Sequence, residues 1–161
     1  MTEKETFLKT WEREFQTTLK VLKAYPSDKL DLRPHERSRS ARELAWTFVR
    51  EENIINGVIN GQVDFQNMPR PPATLREILT AYEKTHGEMV SKVKALPEEE
   101  FNKSIKFPVG PKQMGDVRRE DILWRLVMDF VHHRGQFSVY LRMAGGKVPS
   151  IYGPSADEPW M

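Results

Sequence analysis

The chain has 161 residues, 39% apolar and 30% charged, and its 25 basic and 23 acidic side chains leave a net charge of +2. That length supports one domain with a core that needs no staples, and with no cysteine there is no disulfide, thiolate ligand or cysteine nucleophile. No charge run resembles a nucleic-acid arm and no stretch approaches the roughly 20 apolar residues of a membrane span. Neither nucleic acid nor membrane is therefore an expected partner, and the cytoplasm is the expected compartment.

Apolar residues recur at helical spacing in four long segments. The first runs from about Lys4 to Ala24, with Leu8, Trp11, Phe15, Leu19 and Leu22 on one face, and stops at Tyr25-Pro26. A polar connection leads to the second helix, which Ser40 caps with Glu43 completing a capping box. Its stripe is Leu44, Trp46 or Thr47, Phe48, Ile55 and Val58 or Ile59, and Gly57 and Gly61 weaken its end. After the Pro-rich linker MPRPPAT, Thr74 and Glu77 form a second capping box at the start of the third helix. Its stripe includes Leu75, Ile78, Leu79, Tyr82, Met89 or Val90, Val93 and Leu96. Pro97 ends it. FNKSIKF alternates apolar and polar residues and predicts a short strand or extended flap. The fourth helix runs from about Arg118 to Ala144, roughly 40 Å at 1.5 Å per residue, and Gly145-Gly146 caps it. Four such helices make an all-α four-helix bundle, whose order the joints leave open.

The chemistry-bearing residues concentrate on the last helix. Asp129 and His133 are four apart, so their side chains share one face about 6 Å apart at Cβ. That spacing can chelate a metal ion, and it can equally make a plain Asp–His hydrogen-bonded pair; taken alone, the motif reads first as the pair. His132 lies about 100° round the helix and reads as a packing or interface residue. Gly135, in mid-helix, predicts tight packing against a neighbour, or close approach of a ligand. On the second helix Thr47 and Glu51 are i,i+4 neighbours beside the stripe. A carboxylate is a good ligand for hard ions and a hydroxyl a poor one. Glu52 reads as solvated, and His86 reads as a core-facing residue without a partner. No phosphate loop, serine nucleophile elbow or catalytic carboxylate pair can be assembled.

The stretches LDLRPHERSRSARELAW and HHRGQFSVYLRMAGGKVPSIYGPSADE carry a resemblance that spans nearly the whole chain. The chain resembles the DinB-like (DinB/YfiT) proteins, a superfamily of four-helix-bundle metalloproteins that includes bacterial thiol-dependent transferases. The resemblance implies an up-down-down-up bundle, often a homodimer, with three histidines around a divalent ion. His133 is the histidine of the H-R-G-Q signature. Asp129 stands four before it and Thr47 stands on the second helix, both where the family pattern has histidine. Only one of the three implied ligands is present, so the site is degenerate. Glu51, one turn beyond Thr47, is the candidate replacement. Losing two imidazoles moves preference towards harder ions and weakens binding. The resemblance so modified implies a pocket without metal that binds a small ligand or partner. The alternative is a divalent-metal-dependent transferase or hydrolase using His133, Asp129 and Glu51 or Thr47. Trp11, Trp124 and Trp160 add aromatic surface that self-association would cover.

Overall fold

In the computed structural model, which describes residues Met1–Met161, the four long helices are α1 (Glu3–Lys23), α2 (Ala41–Asn60), α3 (Leu75–Ala95) and α5 (Arg119–Met143). A single turn of helix, α4 (Glu98–Phe101), and two strands, β1 (Ser104–Gly110) and β2 (Gln113–Arg118), lie between α3 and α5. Each of the first three long helices starts at a hydroxyl residue whose side chain accepts from the backbone N–H three residues on. A glutamate at that third position reaches back to the cap: Thr2 with Glu5, Ser40 with Glu43, Thr74 with Glu77. The box at Thr2 has the same pattern as the other two and fixes the start of α1. At the other ends Gly61 (φ +87°) and Gly145 (φ +82°) take the left-handed conformation that glycine adopts without steric cost.

Side-chain contacts set the direction of each helix. From α1 to α5, Phe7 meets Trp124, Trp11 meets Phe130 and Glu14 meets Arg134, so the two helices are parallel. From α1 to α3, Lys4 reaches the Leu96 carbonyl while Phe15 packs on Tyr82, so they are antiparallel. Phe48 meets Tyr82 and Glu52 meets His86, which makes α2 and α3 parallel. Arg119 donates to the Val58 carbonyl while Phe48 packs on Phe137, which makes α2 and α5 antiparallel. The bundle therefore runs up-down-down-up, with α1 diagonal to α2 across a core centred on Trp11, Phe48, Tyr82 and Phe130, all fully buried.

Of the predicted extended segment, Phe101 ends α4 and Ser104–Phe107 open the first strand of an antiparallel hairpin, which pairs Ile105 with Val117 and Phe107 with Gly115. Ile105 is buried. So the fold is helical with one small two-stranded ribbon. No helix is long and apolar enough to cross a membrane.

Four expectations do not hold in the folded chain. Trp11 is fully buried and Trp124 partly covered, so of the three tryptophans only Trp160 stands largely exposed. Gly135 has no heavy atom within 4 Å of where a Cβ would lie, so tight packing against a neighbouring helix does not explain it. Glu52 is completely buried rather than solvated. Its Oε1 accepts from Trp11 Nε1 and faces His86 Nδ1, both at 2.9 Å, which also supplies the partner His86 lacked.

Candidate metal centre

The antiparallel contact of α2 with α5 brings Glu51 against Asp129 and His133. His133 Nε2 lies 3.6 Å from Glu51 Oε1 and 3.5 Å from Asp129 Oδ2. One ligand atom from each of the three residues can be chosen so that all lie within 4.8 Å of one another. Both histidine distances exceed an ordinary hydrogen bond, so Asp129 and His133 meet as an i,i+4 pair without a hydrogen bond between them. They are instead spaced as groups surrounding a common centre. Gln136 Oε1 sits 3.2 Å from His133 Nδ1. With that oxygen accepting from Nδ1–H, the Nε2 lone pair is turned towards the two carboxylates, as an outer hydrogen bond orients a ligating imidazole.

Glu51 is the unusual member. It is 2% exposed, and neither of its carboxylate oxygens has a hydrogen-bond partner. Burial, and then the nearby Asp129 and Glu52 carboxylates, push its carboxyl well above the usual range; Arg39 and Arg50 pull weakly the other way. A buried carboxylate without a donor is costly to keep. A cation shared with Asp129 and His133 would relieve that cost.

Thr47 stands one turn before Glu51 and is buried, but its hydroxyl belongs to another set of contacts. It donates to the Glu43 carbonyl and accepts from Arg39 Nη1, both at 3.1 Å, and is not one of the three clustered groups. The structure thus brings together Glu51, Asp129 and His133 and leaves Thr47 to one side. A cavity of about 450 Å³ opens over His133, walled by Arg39, Leu44, Gln136 and Tyr140. The Tyr140 hydroxyl donates to the Arg39 carbonyl at 2.9 Å and so ties α5 to the segment that enters α2. His132, at the exposed side, contacts Gln136.

Two buried polar pairs lie outside this cluster. Glu14 and Arg134 pair between α1 and α5, and Glu52 and His86 pair between α2 and α3. The signal for both was positional. Glu52 falls four after Phe48 and three before Ile55, and Arg134 four after Phe130 and three before Phe137. Polar residues on an apolar stripe face inwards whatever their charge.

Comparison with known proteins adds kinship to this geometry. The chain is 28% identical over 155 residues to the uncharacterized protein YrdA of Bacillus subtilis (strain 168), covering 94% of this chain and 89% of that one. Its fold is similar to the crystal structure of a DinB-like protein from Bacillus cereus ATCC 10987. The TM-score is 0.78 at 23% identity, over 92% of this chain and 97% of the other. It is also similar to the DinB-like protein YjoA of Bacillus subtilis, with a TM-score of 0.72 at 19% identity, over 97% and 99% of the two chains. The model of the DinB family matches residues 1–160. A bundle of this connectivity that matches the family along its whole length leaves one conclusion: the chain belongs to the DinB family.

Proposed function

We propose that this DinB-family chain holds a divalent cation on Glu51, Asp129 and His133 and uses it on a small molecule that enters over His133 and Tyr140. The observation that carries the proposal is the buried Glu51 carboxylate, which has no donor of its own and faces two further ligand-type groups. Two carboxylates and one imidazole suit a hard or borderline ion such as Mn²⁺, Fe²⁺ or Zn²⁺ better than a soft one. When bound, such an ion lowers the pKa of a thiol or water and polarises an electrophile, which is the transferase or hydrolase chemistry of the alternative reading. The chain's own residues supply the rest. Gln136 orients His133, the α2–α5 contact excludes water from Glu51, and Arg39 and Tyr140 shape the entrance.

A pocket that binds its ligand without metal uses the same cavity, and Glu51 separates the two readings. Its carboxyl is raised by burial. Its contribution to the unliganded protein's stability is therefore complete below the ordinary carboxylate pKa and is lost as pH rises through the folded value. A cation must displace that proton, so stabilisation by metal grows with pH. In calorimetric melts of chelator-treated protein, Mn²⁺ or Zn²⁺ at about 100 times its Kd adds about 2.7 kcal/mol, roughly 5–10 °C at this size. Glu51→Gln raises the melting temperature of metal-free protein by about 2–4 °C, for about 1 kcal/mol, and abolishes the response to metal. No response of the parent protein to either ion, or an undiminished response in Glu51→Gln and His133→Ala, would leave the metal-free pocket as the better reading.

A further inference from the structure

A second cavity, of about 370 Å³, lies between α2 and the linker that follows it, and the side chains of Arg39, Arg50 and Arg70 all line it. Three guanidinium groups on one small cavity are not a reflection of overall charge, since the chain carries only +2. The single acid in the wall, Glu43, is already engaged. Its Oε2 accepts from the Ser40 N–H at 2.7 Å and lies 3.1 Å from Arg33 Nη2. Arg50 has no hydrogen-bond or ion-pair partner within the chain, and its Nε is buried without one, so its guanidinium is not committed elsewhere. Arg39 Nη1 donates to the Thr47 hydroxyl, which holds that guanidinium at the cavity. On the far wall Trp46 Nε1 donates to the Pro69 carbonyl at 2.6 Å, pinning the linker next to Arg70. Trp46 and Phe65 present aromatic surface to the same space.

Planar guanidinium forks match the oxygens of a carboxylate or phosphate two at a time, and an aromatic wall takes the apolar body behind such a head group. An open cleft of this size seats a small molecule and is too narrow for a nucleic-acid duplex. We propose that the cavity between α2 and residues 61–74 binds a small organic anion, with its carboxylate or phosphate on Arg39, Arg50 and Arg70 and its apolar part along Trp46 and Phe65. Arg39 also walls the cavity over His133, so an anion seated here lies beside the candidate metal centre. The anion site itself does not depend on a cation at Glu51.

The test is calorimetric titration of the full chain, after chelation and again with saturating Mn²⁺, using phenylphosphonate, inorganic phosphate and benzyl alcohol as probes. Phenylphosphonate is expected to saturate below about 1 mM, phosphate about tenfold more weakly, and uncharged benzyl alcohol not at all. Arg70 is exposed, so Arg70→Gln leaves the fold intact and weakens phenylphosphonate binding about tenfold. Arg50→Gln weakens it at least as much, and Arg50→Lys, which keeps the charge but loses the fork, recovers only part. Chelated parent protein binds phenylphosphonate, and so does parent protein that shows no response to Mn²⁺, which separates this result from the fate of the metal reading. Three results would overturn the proposal: no saturation by either anion up to about 10 mM, affinities unchanged in Arg50→Gln and Arg70→Gln, or benzyl alcohol binding as tightly as phenylphosphonate.

Discussion

Glu14 and Arg134 are 2% and 1% exposed, and their side chains meet at 2.6 Å between Arg134 Nη2 and Glu14 Oε2. Arg134 Nη1 reaches the Glu14 carbonyl and the Thr18 hydroxyl, and the Tyr152 hydroxyl closes the set from the carboxyl-terminal segment. Burial works against ionising Glu14, but Tyr152 and Arg134 overcome it and hold the carboxyl below its usual range. The stability it contributes is present above the ordinary carboxylate pKa and fades as pH falls through the folded value. Removing one partner strands the other. Arg134→Met is expected to cost about 3–5 kcal/mol in urea melts, while the double variant Arg134→Met with Glu14→Leu recovers most of that loss. An equal loss in single and double variants would show that the pair is ordinary packing. None of this was visible as a pair in the sequence, because Glu14 and Arg134 are 120 residues apart. Only their places on the apolar faces of two helices were legible.

Two glycines give the helices opposite predictions. Gly135 lies on the exposed face of α5, with open space where a Cβ would go. Gly135→Ala should therefore stabilise by about 0.5–1 kcal/mol, since it lowers the entropy lost on folding and meets nothing. Gly57, in the last turn of α2, is the contrary case. A Cβ there would lie 2.9 Å from the Gln62 carbonyl and 3.0 Å from Val63 Cα, both backbone. Gly57→Ala must displace the chain that turns back past Gly61, and it should lower the melting temperature although alanine is the better helix former. Thermal melts of the two variants decide both expectations by sign alone. The capping boxes at Ser40 and Thr74 were legible because a cap is a contact over three residues. The strand Gln113–Arg118 was not, since QMGDVR carries no clear alternation and owes its state to pairing with Ser104–Gly110.

His86 joins three of the four long helices. Its Nδ1 faces Glu52 on α2 at 2.9 Å, its Nε2 faces Glu12 on α1 at 2.8 Å, and its ring stacks on Phe15 with centroids 3.6 Å apart. Burial alone would lower its pKa, but the two carboxylates more than offset this and hold it above the ordinary 6.5. Full stabilisation by His86 is thus present below about pH 6.5 and is lost as pH rises through the folded value. Glu12 is held below its ordinary 4.5 against burial by Gln16 and His86, so its share is present above that pH and fades in acid. The parent protein should lose stability relative to His86→Gln as pH rises above about 6.5, and the difference should stop changing once the folded ring has lost its proton. Parallel curves across that range would mean that folding leaves the His86 pKa unshifted, and a relative gain in stability with rising pH would mean that the folded ring is neutral.

The four long helices, two of their caps, the carboxyl-terminal glycine stop and the family signature around His133 are all written locally in the chain. Each of those rests on residues within a turn or two of one another, so local periodicity and capping chemistry suffice. The sequence also marks Glu51, Asp129 and His133 as candidates, because each stands on or beside a core-facing stripe. That these three meet while Thr47 turns to Glu43 and Arg39, and that Glu51 has no donor of its own, follows from helix packing alone. The same packing paired Glu14 with Arg134 and Glu52 with His86. Those outcomes depend on α2 running antiparallel to α5 and parallel to α3, and on where burial withdraws water. Neither is written in any single helix.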